Sequence, residues 1–205
     1  MIGRMVQVVN RMRARQVRRY LERNGIDLSH VQCSHRLLVK RESGVPTGET
    51  FRIGEHTHLE GRYILGSEGR IVIGSHCSFR TGTHMSSRDL ITIGDHVFGA
   101  EGIFIADNDN HPVSPLARKE MTCTPPGSVL WKMSDQVACK PVAIEDGVWI
   151  GRHAMILKGV RIGQWSIVAA GAVVTKDVPE FSIVAGNPGK VVKTIVNDFE
   201  LSGED

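Results

Sequence analysis

Aliphatic residues recur every six positions through the C-terminal half of the chain. From Ile144 the sequence reads IEDGVW IGRHAM ILKGVR IGQWSI VAAGAV VTKDVP, with Ile144, Ile150, Ile156, Ile162, Val168 and Val174 each opening a hexad. A helix repeats near 3.6 and a half-buried strand near 2, so neither produces this spacing. Gly147, Gly159 and Gly171 recur in phase, where turns call for a permissive backbone. The N-terminal half carries the unit more loosely, as IGEHTH at Ile53, IGSHCS at Ile73 and IGDHVF at Ile93, 20 residues apart. Three hexads plus two residues give that interval. A prism of three short strands per turn satisfies both spacings, with the first residue of each hexad pointing inward onto its equivalents in the coils above and below. The pattern predicts an all-β parallel solenoid, with first coils over 51–106 and C-terminal coils over 142–186.

The flanks read differently. MIGRMVQVVNRMRARQVRRYLERNG places seven arginines in its first 23 residues, with Met5, Val8, Val9, Met12, Val17, Tyr20 and Leu21 at helical spacing. It predicts a basic amphipathic helix ending at Gly25, suited to its own domain, a sister subunit or an anionic membrane surface. The remainder of the 1–50 segment, with His30 and His35, shows no clear pattern, and 187–205 reads as a tail. Between the two blocks the repeat fails: 107–141 is rich in Pro, Asp, Asn and Ser and predicts one long loop on a rigid platform.

Composition bounds these elements to a single domain of 205 residues. A net charge of +3 gives no global footprint of a nucleic-acid binder. Cys33, Cys77, Cys123 and Cys139 form no C-x-x-C pair, which points to reduced thiols and a cytoplasmic location. No apolar run reaches membrane-spanning length and no signal-peptide core is visible, so a soluble protein is expected.

Two sets of histidines invite chemistry. His56, His76, His96 and His153 share the frame I-G-x-H, and the first three fall on successive coils. They suit turn positions, because histidine, like asparagine, is enriched at positive φ. His111 lies in NHPVSP near the start of the long loop, where Pro112 restricts its own backbone and that of His111. An imidazole, with an ordinary pKa of about 6.5, is largely neutral at pH 7 and able to take a proton.

The segment VWIGRHAMILKGVRIGQWSIVAAGAVVTKDVPEFSIVAGNPGKVV resembles the C-terminal coils of galactoside and maltose acetyltransferases, members of the hexapeptide-repeat acyltransferase family. The resemblance covers residues 51 to 192 and NHPVSP falls within it. It implies a left-handed parallel β-helix, here with an N-terminal α-helical segment and a long loop inserted between coils. Left-handedness comes from the resemblance alone, since it opposes the usual rule for parallel crossovers. The resemblance further implies a homotrimer, with His111 as general base and acetyl-coenzyme A as co-substrate in a groove between subunits, lined by Trp149, Gly151, Ala170, Thr175, Lys176 and Lys190. Lys176 and Lys190 suit the coenzyme phosphates. Arg152 takes a place often small and uncharged in sugar acetyltransferases; its backbone N–H suits an oxyanion provided its side chain turns away. Asp107, Asp109, a backbone carbonyl or another chain's residue are the options for orienting His111. Trp131 in the loop suits stacking on a pyranose. The expected function is acetyl transfer to a hydroxyl of a sugar or glycan, without a metal. A xenobiotic acceptor, a zinc hydro-lyase like the β-helix carbonic anhydrases and a catalytically silent binding protein stand as alternatives.

Overall fold

A computed structural model describes residues 2–42, 44–123 and 137–199. Helix α1 (Ile2–Arg23) leads into β1 (Gln32–Arg41), and short strands then wind into coils. The first coil holds β2 (Phe51–Ile53) and β3 (His58–Leu65), the latter bent across a corner at Gly61; the second holds β4 (Arg70–Ile73), β5 (Ser78–Phe79) and β6 (His84–Ser87). The third contains β7 (Leu90–Ile93), β8 (Phe98–Gly99) and β9 (Phe104–Ala106), after which the chain leaves for the loop with its helix α2 (Pro115–Thr122). It returns as β10 (Val142–Ile144), β11 (Trp149–Ile150) and β12 (Met155–Ile156), then β13 (Arg161–Ile162), β14 (Ile167–Val168) and β15 (Val173–Val174). β16 (Ser182–Ala185) and β17 (Lys190–Thr194) close that end as an antiparallel pair.

Every coil-to-coil pairing from β2 through β16 is parallel, and the strands sort into three faces. The first face runs β2-β4-β7-β10-β13, the second β3-β5-β8-β11-β14-β16 through the start of β3, and the third β3-β6-β9-β12-β15 through its end. The corners, in chain order, join first to second face, second to third, and third back to first. Inward residues stack in register: Ile71, Ile91 and Val142 on the first face, and Met85, Ile105, Ile156 and Val174 on the third, all fully buried. Burying one such side chain stabilises by about 1.5–3 kcal/mol, which no single coil achieves alone.

The corners explain the I-G-x-H frame. His56, His76, His96 and His153 all have positive φ, between 54° and 58°, as the turn reading expects. Their preceding glycines have another role. Ser75, Asp95 and Asp146 each cap a backbone N–H of the coil before, as in Asp95 Oδ1 accepting from Ser75 N–H at 2.6 Å and Asp146 Oδ1 from Asp95 N–H at 2.8 Å. A Cβ at Gly74 or Gly94 would overlap that capping carboxylate.

The patternless stretch after the helix holds a strand. β1 pairs in parallel with β3, from Gln32 opposite His58 to Arg41 opposite Leu65, with a register shift between Cys33 and Leu37. Leu21 of α1, together with Ile26, Leu28 and Val31, joins the core beside this strand, so the helix covers the end of the stack.

Candidate functional site

The loop departs at the third corner, directly after β9, and an aspartate fastens it there. Asp107 is fully buried, and its carboxylate accepts from Ser87 Oγ at 2.8 Å, Arg88 N–H at 2.8 Å, Asp89 N–H at 2.9 Å and Asn108 Nδ2 at 2.9 Å. A buried carboxylate is tolerated only when its lone pairs are satisfied in this way. The two limbs of the loop then meet: Asp109 N–H donates to Ala138 O at 3.2 Å, Lys140 N–H to Asp107 O at 2.8 Å, and Asn108 bridges to Cys139.

This base sets up His111. Asn108 Oδ1 accepts from Asn110 N–H at 2.9 Å, and Asn110 adopts φ 60°, a conformation that asparagine tolerates. His111 N–H donates to Asp109 O at 2.7 Å, Pro112 beyond it is buried, and Ser114 caps α2 through Ala117 N–H at 3.4 Å. Arg118 of α2 turns back to the carbonyls of Pro112 and Val113. The imidazole is left exposed between two anchored segments. Neither aspartate orients it: the Asp107 carboxylate is spent on Ser87, Arg88, Asp89 and Asn108, and that of Asp109 is ion-paired to Lys158 at the same corner one coil on. Sequence reasoning missed Lys158. It stands in an ordinary hexad, ILKGVR, and 49 residues separate it from Asp109.

The six residues expected along the donor path divide between two edges. Trp149 opens β11 on the second face, half exposed at 50%, and Gly151 and Ala170 stack at the second corner, where a Cβ on Gly151 would meet the Ala170 nitrogen. Lys190 lies near them: it pairs with Ala185, and Gly189 N–H donates to Val173 O at 2.8 Å. Thr175 and Lys176 follow β15 at the third corner, both exposed, on the edge from which the His111 loop departs. The third face therefore separates the two groups within one chain. Arg152 does turn aside, its guanidinium 2.9 Å from Glu101 on the coil before.

The corner histidines stack instead of converging. His56 and His76 have ring centroids 5.1 Å apart, and His76 and His96 lie 5.0 Å apart and nearly parallel at 4°. No group of three or more His, Cys, Asp or Glu among the described residues is placed to hold a metal ion. Trp131 lies outside the described residues. No described helix is long and apolar enough to cross a membrane.

Residues 141–176 match the family model described as bacterial transferase hexapeptide (six repeats). The coils over these residues are hexapeptide repeats. Its solenoid is the left-handed parallel β-helix. The chain is 54% identical over 67 residues to a 2,3,4,5-tetrahydropyridine-2,6-dicarboxylate N-acetyltransferase of Staphylococcus aureus (strain JH9), a match covering 33% of this chain and 28% of that relative. The chain thus spans little more than a quarter of the curated relatives it matches. Among solved structures, it resembles the polySia specific acetyltransferase NeuO, with 25% identity and a TM-score of 0.64 over 85% of this chain and 70% of the other. It also shares the fold of a galactoside acetyltransferase in complex with coenzyme A, at 24% identity and a TM-score of 0.50, over 83% of this chain and 66% of that one.

Proposed function

We propose that this hexapeptide-repeat protein transfers an acetyl group from acetyl-coenzyme A to a hydroxyl of a sugar or glycan, as a cytoplasmic homotrimer with His111 as general base. The observation that carries this reading is an exposed imidazole on a loop anchored by Asp107 at the corner it shares with Thr175 and Lys176. The likeness to NeuO and to the coenzyme A-bound galactoside acetyltransferase supports both donor and acceptor class. The N-acetyltransferase relative supports acetyl transfer while raising an amine as the competing acceptor.

The split of the donor residues over two edges supports the assembly. A cyclic trimer uses heterologous contacts, so the second corner of one copy can face the third corner of the next. Trp149, Gly151, Ala170 and Lys190 of one copy then line one wall, and Thr175, Lys176 and His111 of its neighbour the other. In that cleft His111 takes the proton of the acceptor hydroxyl as its oxygen attacks the thioester carbonyl. The Arg152 N–H serves the oxyanion that forms. On collapse the carbon–sulfur bond breaks, and the His111 imidazolium returns its proton to the departing thiolate.

The test is to incubate the protein with labelled acetyl-coenzyme A and a panel of glycans, amino sugars and aminoglycoside or macrolide antibiotics, and to treat the labelled product with mild alkali. An O-acetyl ester on a glycan releases its label, as the proposal expects. An alkali-stable amide contradicts the hydroxyl acceptor and leaves the transferase. His111→Ala is expected to lower turnover about 10²–10⁴-fold, the usual contribution of a positioned base, with donor affinity unchanged. More than about a tenth of wild-type turnover in that variant contradicts its role as base.

A further inference from the structure

The lower part of the second corner carries a charge pattern that the donor path does not use. β1 bulges between Cys33 and Leu37, at the level of this corner, and presents Arg36 outward. The next coil turns tightly through Gly61, so Arg36 reaches past it and donates from Nη1 to Thr81 Oγ1 on the second coil at 3.2 Å. Arg62, first on the third face after that turn, and Arg80, beside Thr81, are both exposed. Three guanidiniums from three successive turns thus share one edge, and none makes an ion pair among the described residues. Against these three cations the corner sets one carboxylate, Glu60, 3.5 Å from His58, while Glu101 and Arg152 on the two coils above pair with each other. Three guanidiniums against one carboxylate leave an excess of positive charge on a rigid edge, which favours a bound anion.

We propose that Arg36, Arg62 and Arg80 around Thr81 form an acceptor subsite that holds the carboxylate of an acidic glycan. Planar guanidinium forks match a carboxylate's two oxygens, and a hydroxyl between them suits a neighbouring sugar oxygen. The assignment as acceptor subsite rests on the acetyl-transfer reading above. In that assembly this edge of one copy lies across from the His111 loop of the next, below the donor wall, so a glycan gripped by its acid group would offer its hydroxyls to the base.

The test uses oligouronates and sialic acid oligomers, each beside its methyl ester, together with a phosphorylated and a neutral oligosaccharide. Binding is measured by calorimetry without acetyl-coenzyme A, so it does not depend on turnover; donor binding is measured separately. Carboxylated glycans should bind at least about tenfold better than their esters, as expected for hydrogen bonds between ionised partners. Arg62→Gln and Arg80→Gln, which remove no described contact, should each erase that preference by about 10- to 100-fold, with melting temperature and oligomeric state unchanged. Equal binding of acid and ester, failure of every carboxylated glycan to bind, tighter binding of the phosphorylated glycan, or a preference that survives both substitutions overturns the subsite. A protein that binds carboxylated glycans through these arginines yet fails to bind acetyl-coenzyme A keeps the subsite and loses the transferase.

Discussion

At the scale of single residues, the loop shows how burial assigns different work to similar side chains. Asp107 and Asp109 are two positions apart and indistinguishable in sequence, yet the first is an internal anchor and the second a partner for Lys158. The placement of His111 on a loop was legible because NHPVSP interrupts a regular repeat; the partner of Asp109 was not, because no local spacing links a corner lysine to a loop 49 residues before it. Lys158 is expected to hold the His111 loop in place. Lys158→Met releases the Asp109 segment that accepts the His111 N–H. A proposed base held less firmly should lower kcat, with KM for acetyl-coenzyme A unchanged. Lys158→Arg should restore kcat. A kcat identical to wild type in Lys158→Met contradicts this role.

At the scale of elements, the period-six pattern was readable because every inward position must be aliphatic to stack, and Ile144 through Val174 keep that phase without a gap. β1 escaped notice for the opposite reason: its register shift breaks the alternation, and only Leu37 and Val39 within it are buried. The corners show which glycines the stack needs. Gly147 has φ 66° and lies against the Trp165 ring, whereas Gly171 has φ 70° with open space around it. Gly171→Ala should therefore cost only about 1 kcal/mol, the left-handed backbone penalty of a side chain. Gly147→Ala must also displace the indole, so about 2–4 kcal/mol is expected, since overpacking adds roughly 1–3 kcal/mol. Urea denaturation of the two variants compares them. Equal losses contradict the stacked-corner description.

At the scale of the molecule, the solenoid is a ruler that sets two edges at fixed heights, one bearing Gly151, Ala170 and Lys190 and the other His111, Thr175 and Lys176. Sequence likeness implies that these residues share a site; the coil geometry puts them on separate corners of one chain, so in the proposed trimer the site is a property of the assembly. Mixed trimers test this most directly. His111→Ala spoils the third corner, and Ala170→Tyr blocks the second without removing an inward aliphatic residue. Each variant alone should be nearly inactive. Co-refolded in equal amounts, they should regain about a quarter of wild-type turnover, because random cyclic assembly pairs an intact second corner with an intact third corner in one interface of four. Mixed trimers no more active than either parent would place both corners of the site on one chain and contradict the proposed groove between copies.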